Sequence, residues 1–234
     1  MTMTRLFLLS ALALVAGCST PPDYYHTLRP AVAPAPTSAR DAQRVLEIGP
    51  VTIPDSLARD EWVVRTGNTG AMVYDHQLWT QGLAADVAQS MVDYLNRGTL
   101  PDGLWADAGP TGSGSGADLE RPAPLRVRVQ VLRFDSILVP APAVSDQVRW
   151  TIECLPSDAA LGPVDAGRYR VVRTAVRDAA VPAPAADAGV AEAQQRFDRV
   201  ARAHSETVRL VAEDVAAALR ASVAERAQTC IAGH

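Results

Sequence analysis

Three cysteines and four histidines are the side chains of this 234-residue sequence best suited to nucleophilic, acid–base or metal chemistry. Cys230 and His234 have a spacing found in zinc sites, but no second pair of ligands accompanies them. His204 lies on the apolar stripe of a predicted helix, where a lone histidine is usually a hydrogen-bonded core residue. Asp75 and His76 could form an acid–base pair, but a role for Asp75 at the start of the following helix explains it better. We therefore expect no metal site, no cofactor and no catalytic residue.

Two common functional motifs are missing or out of context. No Gly-x-Ser-x-Gly sequence is present, so a hydrolase built on that nucleophile turn lacks its signature. The glycine-rich stretch Gly109–Gly116 has no strand leading directly into it, no Lys-Ser or Lys-Thr at its end and no helix after it, all of which a phosphate-binding loop needs. Its Gly-Ser-Gly-Ser-Gly composition is typical of a solvated linker.

The N-terminus carries a processing signal that ends at Cys18. Arg5 precedes the apolar run Leu6–Ala16, which is too short to span a bilayer because spanning needs about 20 apolar residues. Small residues then lead directly into Cys18, a layout similar to the bacterial lipobox. We expect residues 1–17 to be removed and Cys18 to carry the lipid. The alternative is a cleaved signal followed by an ordinary cysteine.

The other two cysteines, Cys154 and Cys230, form an even pair in what would be an oxidising compartment. A disulfide between them would join the end of the chain to a predicted strand, and loop-closure entropy gives it about 4 kcal/mol of stabilisation. The alternative is two buried thiols that never meet. The bridge depends on geometry, which the sequence does not show.

Composition narrows the class of partner. The length of 234 residues fits one domain with tails, or at most two small ones, and 48% hydrophobic residues allow a real core. The formal net charge is −4, and all 22 basic residues are arginine. This balance argues against a nucleic-acid partner, which requires a concentrated basic surface. Contact with a membrane must then come from the lipid anchor.

Hydrophobic patterns divide the mature chain into an anchor segment, one domain and a tail. We expect residues 18–44 to hold the anchor, a short strand at 24–28 and a Pro/Ala-rich loop, residues 45–226 to form the domain, and residues 227–234 to be a tail. Within the domain we predict strands at 44–48, 51–53, 125–131, 147–154 and 168–176, a hairpin at 62–74, and helices at 79–97 and 190–226.

The spacing of apolar residues also predicts the fold class. Odd positions are apolar in Leu125–Val131 and even positions in Gln147–Cys154, so each strand has one buried face. Connections within 125–176 are too short for helical crossovers, which predicts an antiparallel meander. We expect an α/β fold of the α+β kind, in which a mostly antiparallel mixed sheet packs against two main helices in a single compact domain.

Several segments match a known pattern in their order and spacing: Cys18 with its signal, Tyr24–Leu28, Ile48–Pro54, Val63–Thr66, Trp79 at the start of a helix, and Leu100–Pro101 after that helix. Together they resemble the PqiC-type ABC-transport auxiliary lipoproteins, which are encoded with transporters that contain MCE-domain subunits. The resemblance covers most of the mature chain. The Pro/Ala insertion after Leu28 and the Gly-Ser loop depart from the family pattern.

The resemblance implies a non-enzymatic accessory subunit with no catalytic residue to carry over. Its partner would be the MCE-domain subunit of an ABC phospholipid transporter, held at the periplasmic face of the outer membrane in support of envelope integrity. Ser19 after Cys18, where aspartate would favour the inner membrane, also favours the outer membrane. Docking could use a sheet edge or a loop patch, or the domain could bind a lipid tail between helix and sheet.

Two other functions remain open from the residues. One is a lipoprotein regulator of a periplasmic cell-wall enzyme, which would need a long disordered arm to reach through peptidoglycan. The ordered-looking Tyr24-Tyr25 within six residues of Cys18 disfavours that arm. The other is an envelope hydrolase, which would need a nucleophile and a base within hydrogen-bond reach in a cleft.

Overall fold

Within its described residues, the chain forms one eight-stranded mixed sheet and two α-helices, and these pack into a single compact domain. The computed structural model describes residues 21–29, 44–97, 99–109, 125–154, 170–181 and 191–225. The strands are β1 (Tyr24–His26), β2 (Arg44–Thr52), β3 (Glu61–Thr66), β4 (Gly70–Trp79), β5 (Leu104–Ala108), β6 (Leu125–Ile137), β7 (Ala143–Cys154) and β8 (Arg170–Ala180). The helices are α1 (Leu83–Leu95) and α2 (Ala191–Glu225), with a short 3-10 helix at Asp55–Leu57.

The predicted meander is confirmed and forms the longest part of the sheet. β6 pairs with β7 and β7 with β8, both antiparallel. The opposite edge of β6 is shared by two shorter parallel partners, β2 along its first half and β3 at its end. The predicted mostly antiparallel mixed sheet is therefore correct, because the long pairings are antiparallel and the parallel pairings are short.

A register shift within β6 changes which of its residues face the core. Val127, Val129 and Val131 are buried, as the odd-position pattern predicts. The pairing with β7 then shifts between Val131 and Arg133, and the buried positions become Phe134 and Ser136. An extra residue on one strand moves the following side chains to the other face of a sheet. This shift turns a serine toward the core.

The predicted hairpin of β3 and β4 is confirmed, but β4 is longer than expected. It continues to Trp79, so Trp79 ends a strand and does not open a helix, and Asp75 is an exposed strand residue and does not cap a helix. The cause is long-range: β1 pairs in parallel with Gln77–Trp79 of β4. Helix α1 begins only at Leu83, after Gly82 with its positive φ of 75°.

The sequence patterns did not predict strand β5, which directly precedes the glycine-rich stretch. The expectation that no strand leads into that stretch is therefore wrong. Leu104–Ala108 pairs in parallel with the start of β2. Both its central peptide groups are fixed by Asn96, whose amide donates to the Ala106 carbonyl and accepts from the Ala106 N–H, each at 2.8 Å. Trp105, on this strand, is half-buried.

The two helices pack against each other and against the sheet. α1 contacts β2 and β5, whereas α2 contacts β6, β7 and β8. The apolar stripes predicted for both helices are buried, including Val87 and Met91 of α1 and Val208 and Val215 of α2. Trp62 and Trp79 stack with ring centroids 4.3 Å apart at the centre of this core.

Candidate functional site

A chain of buried polar side chains crosses the core between β3, β6, β7 and α2. Trp62 Nε1 donates to Ser136 Oγ at 2.8 Å, and Ser136 Oγ lies 2.8 Å from His204 Nε2. His204 Nδ1 lies 2.8 Å from a carboxylate oxygen of Asp146, and the Thr207 hydroxyl donates to the other oxygen at 2.7 Å. Ser136, His204 and Asp146 are each at most 1% exposed.

The donors and acceptors of this cluster fit a single arrangement of protons. An indole N–H donates only, so the Ser136 hydroxyl accepts from Trp62 and its own proton points to His204 Nε2. His204 then carries its proton on Nδ1 and donates it to Asp146. Every side-chain polar atom of this buried cluster thereby has a partner, which is the condition under which buried polar groups are tolerated. Phe134 stacks on the His204 ring, with centroids 3.9 Å apart.

The serine, histidine and aspartate have the hydrogen-bond order of a hydrolase triad but no access for a substrate. The cavity that touches Ser136 has a volume of about 10 Å³, close to the space that one water molecule needs. The Ser136 hydroxyl is also held by Trp62 Nε1, a donor that would compete with an approaching substrate. These hydrogen bonds therefore have a structural role, because they join α2 to strands β6 and β7 of the meander.

Sequence reasoning found only part of this cluster. The prediction that His204 is a hydrogen-bonded core residue is confirmed. Ser136 and Asp146 were not identified, because the register shift in β6 changes the facing of Ser136. Asp146 occupies an even position of β7, and its inward facing could have been extrapolated from the even-position pattern predicted for residues 147–154.

A second buried carboxyl, Asp86 of α1, has fewer partners. It accepts one side-chain hydrogen bond, from the Thr27 hydroxyl at 3.0 Å. Within the described residues, its Oδ2 has no hydrogen-bond partner, and neither has the hydroxyl of Ser90 one turn later. Burial raises the pKa of Asp86 to about 6, although the Thr27 hydrogen bond and the charge of Arg29 lower it. Arg29 itself is paired with Asp93, at 2.7 Å.

An open groove of about 450 Å³ lies between β2 and the N-terminal half of α1. Arg59, Asp60 and Gln81 lie among its polar lining residues. The pairing of β5 with β2 ends at this groove: Gly109 N–H donates to the Ile48 carbonyl at 2.9 Å, and Val51 and Thr52 pair only with β6 among the described strands. Its apolar walls include Ile48, Val51, Ile53, Leu57, Leu83 and Ala88.

The groove thus combines an apolar lining with a strand edge that no other described strand covers. This combination suits an extended segment that adds to a sheet edge and places side chains in a pocket, and the volume falls in the range of small-molecule sites. No local pattern in the sequence indicated this groove, because its walls come from three segments that only the fold brings together.

Three of the remaining predicted site residues lie near the ends of the chain. Cys18, Cys230 and His234 are outside the described residues. Cys154 ends β7 opposite Leu125. Because Cys230 is outside the described residues, the disulfide between these two cysteines stays a prediction. Asp75 and His76 do not form a pair with each other: His76 contacts Asp23 at 2.8 Å.

In the part of the chain that the structure describes, no three His, Cys, Asp or Glu side chains are grouped as metal ligands would be. Neither described helix is apolar over a length that could cross a bilayer.

Comparisons with known proteins agree with the fold. A crystal structure of an uncharacterized protein has a TM-score of 0.55 at 16% identity, covering 85% of this chain and 99% of its own. The crystal structure of protein XCC0632 from Xanthomonas campestris has a TM-score of 0.52 at 15% identity, covering 84% and 93%. At these identities the likeness concerns the fold. No curated protein sequence matched.

Residues 26–216 match the family described as the ABC-type transport auxiliary lipoprotein component. The match begins at the last residue of β1 and extends through most of α2, so it leaves out the ends of the chain. It agrees with the resemblance read from the motifs between Tyr24 and Pro101. Because the match spans most of the sequence, this protein belongs to the family of ABC-type transport auxiliary lipoprotein components.

Proposed function

We propose that this lipoprotein is a non-enzymatic accessory subunit of an MCE-type ABC phospholipid transporter. It is anchored through acyl chains on Cys18 at the periplasmic face of the outer membrane, where it holds the MCE-domain subunit of the transporter and supports envelope integrity. Membership of the transport auxiliary family supports a role beside a transporter. The inaccessible Ser136 hydroxyl supports a function without hydrolysis.

The observation that carries the docking mechanism is the groove beside β2. It offers a partner both an apolar lining and, at Val51 and Thr52, a strand edge opposite β6 that no second described strand occupies. Main-chain hydrogen bonds along such an edge give affinity, and the apolar pocket gives selectivity for the partner's side chains. The polar lining residues carry both signs of charge, in Arg59 and Asp60, which suits a protein segment better than an anionic lipid headgroup.

Site-specific photocrosslinking in cells that produce the whole transporter tests this function. The photoreactive residue p-benzoylphenylalanine replaces Ala58, an exposed residue of the groove, or Leu210, an exposed residue of α2 that serves as the matched control. We expect a crosslink to the MCE subunit from position 58 and none from position 210. A phospholipid adduct at position 58 would instead indicate that the groove holds a lipid tail.

Two results would contradict the proposal more deeply. Crosslinks from position 58 to a peptidoglycan synthase, without MCE protein, would favour the regulator of a cell-wall enzyme. An unmodified N-terminus in the intact mass of the mature protein would remove the anchor at Cys18. The Cys18→Ala variant controls for the anchor, because it should be released into the periplasmic fluid while its domain folds normally.

A further inference from the structure

Exposed apolar side chains lie around the turn between β3 and β4. Among the residues that the structure describes, eight large hydrophobic side chains are exposed, and three of them belong to this end of the sheet. Val139 is the most exposed of the eight, at 68%. Large apolar groups that cluster on a surface mark contacts with a protein or a membrane. We call these three residues the anchor-side surface: Met72, Val73 and Val139.

The register of the strands brings these residues to the same end. Met72 of β4 pairs with Val64 of β3, and Val64 pairs with Ser136 of β6. Val139 follows Ser136 by three residues and therefore lies beside the β3–β4 turn. β1 runs parallel to β4, with Tyr24 opposite Gln77, so the chain that precedes Tyr24 runs toward the same turn.

One further contact fixes the direction of the chain before β1. Asp23 binds His76, the residue of β4 one step closer to the turn, at 2.8 Å. From His76, Met72 lies four residues away, or about 13 Å at the rise of a strand. Cys18 precedes Pro21 by three residues, so its Cα lies within about 11 Å of that of Pro21. An anchor at Cys18 therefore brings the bilayer to the turn end of the sheet.

The opposite end of the molecule is too distant to meet that bilayer. β6 extends from Ile137 near the anchor-side surface to Leu125, a length of about 40 Å. Val45, at the start of β2, lies toward that far end, since Leu46 pairs with Leu125. The short chain between Cys18 and β1 therefore favours one orientation of the domain on the membrane.

We propose that the anchor-side surface rests in the headgroup region of the membrane that holds the lipidated cysteine. This inference rests on the proposed lipid at Cys18 and adds the face and orientation of the domain. Charged side chains around this surface are paired: Asp23 with His76, and Arg65 with Asp135. Glu192 and Arg196, which line a pocket together with Val139, are paired with each other.

Spin labels on the lipidated protein in vesicles of phosphatidylethanolamine and phosphatidylglycerol test the orientation. A label at Val139→Cys reports the anchor-side surface, and a label at Val45→Cys is the control at the far end, both in a Cys154→Ser, Cys230→Ser background. We expect vesicles to lower the collision rate of the Val139 label with a water-soluble nickel complex several-fold and to leave the Val45 label unchanged. A label at Met72→Cys should repeat the Val139 result.

Each other outcome contradicts a different step. Equal nickel access at both positions in vesicle-bound protein would overturn the orientation and leave the anchor intact. Failure of the unsubstituted chain to sediment with vesicles would overturn the anchor, and this inference with it. Protection of the Val139 label in the Cys18→Ala protein without vesicles, rising with protein concentration, would show that a second copy covers the surface instead.

Discussion

Asp146 and Asp86 are both fully buried aspartates, yet their surroundings differ in every other respect. Asp146 accepts hydrogen bonds on both oxygens, from His204 and Thr207 of α2. Asp86 accepts one side-chain hydrogen bond, from Thr27, and leaves its Oδ2 without a partner among the described residues. The comparison shows that the effect of a buried carboxylate on stability depends on the donors that face it, because burial alone disfavours its charge.

The difference has a structural origin. The donors to Asp146 project from two successive turns of one long helix, and the histidine is itself held by Ser136 and Trp62 from the sheet. Asp86 lies in the first turn of α1, and its one side-chain donor comes from the short segment after β1. The nearest cation, Arg29, is bound to Asp93. We infer that the cluster around Asp146 stabilises the domain, whereas ionised Asp86 costs stability at neutral pH.

The largest expected effect comes from removing the histidine. His204→Ala leaves the buried Asp146 carboxylate without its main donor and opens a cavity beside Phe134, and the two losses together should cost about 3–5 kcal/mol. His76→Ala, which removes an exposed partner of Asp23, should cost at most about 1 kcal/mol. Urea unfolding of the Cys18→Ala protein measures both. Similar small losses for the two variants would contradict the structural role of the buried cluster.

Replacing the two aspartates should have opposite effects at neutral pH. Asp86 has a pKa of about 6 in the folded state against an ordinary 3.8, so the folded chain holds a proton that the unfolded chain has lost. The contribution of Asp86 to the free energy of unfolding is therefore largest below about pH 4. It decreases by on the order of 2 kcal/mol as the pH rises through about 6. Asp86→Asn should be more stable than the unsubstituted protein at pH 8, with a smaller difference at pH 4.

Asp146→Asn provides the matched control for that variant. The amide replaces one acceptor oxygen by an N–H donor, so either His204 or Thr207 loses its acceptor, and this variant should be less stable than the unsubstituted protein at pH 8. Free energies of unfolding at pH 4, 6 and 8 test both variants. A difference for Asp86→Asn that does not change with pH, or the same sign for both variants at pH 8, would refute the comparison.

The last pair of variants concerns the two hydroxyls beside these carboxyls. Thr207→Val removes a donor to a buried carboxylate and should cost about 1.5–3 kcal/mol. Ser90→Ala removes a buried hydroxyl that has no partner among the described residues, so it should be neutral or slightly stabilising. Thermal unfolding at one protein concentration compares the pair. A loss for Ser90→Ala as large as that for Thr207→Val would show that Ser90 is in fact hydrogen-bonded.

Local patterns in the sequence determined the larger elements of this protein. Strict alternation predicted β6 and β7, the three- and four-residue spacing predicted both helices, and the apolar stripe of α2 predicted that His204 would be buried. These predictions succeeded because side-chain periodicity reports which face of an element is removed from water. The order of short motifs also indicated the family, which the match over residues 26–216 confirms.

Only the tertiary structure decided the positions of the buried polar cluster and of the groove. The end of β4 at Trp79 depends on pairing with β1, and β5 depends on pairing with β2 and on the hydrogen bonds from Asn96. The shift of register in β6 turned Ser136 toward His204, and the groove beside β2 was assembled from segments far apart in sequence. Such features arise from backbone pairing between residues that are distant in sequence. A local pattern of side chains does not indicate the free energy of that pairing.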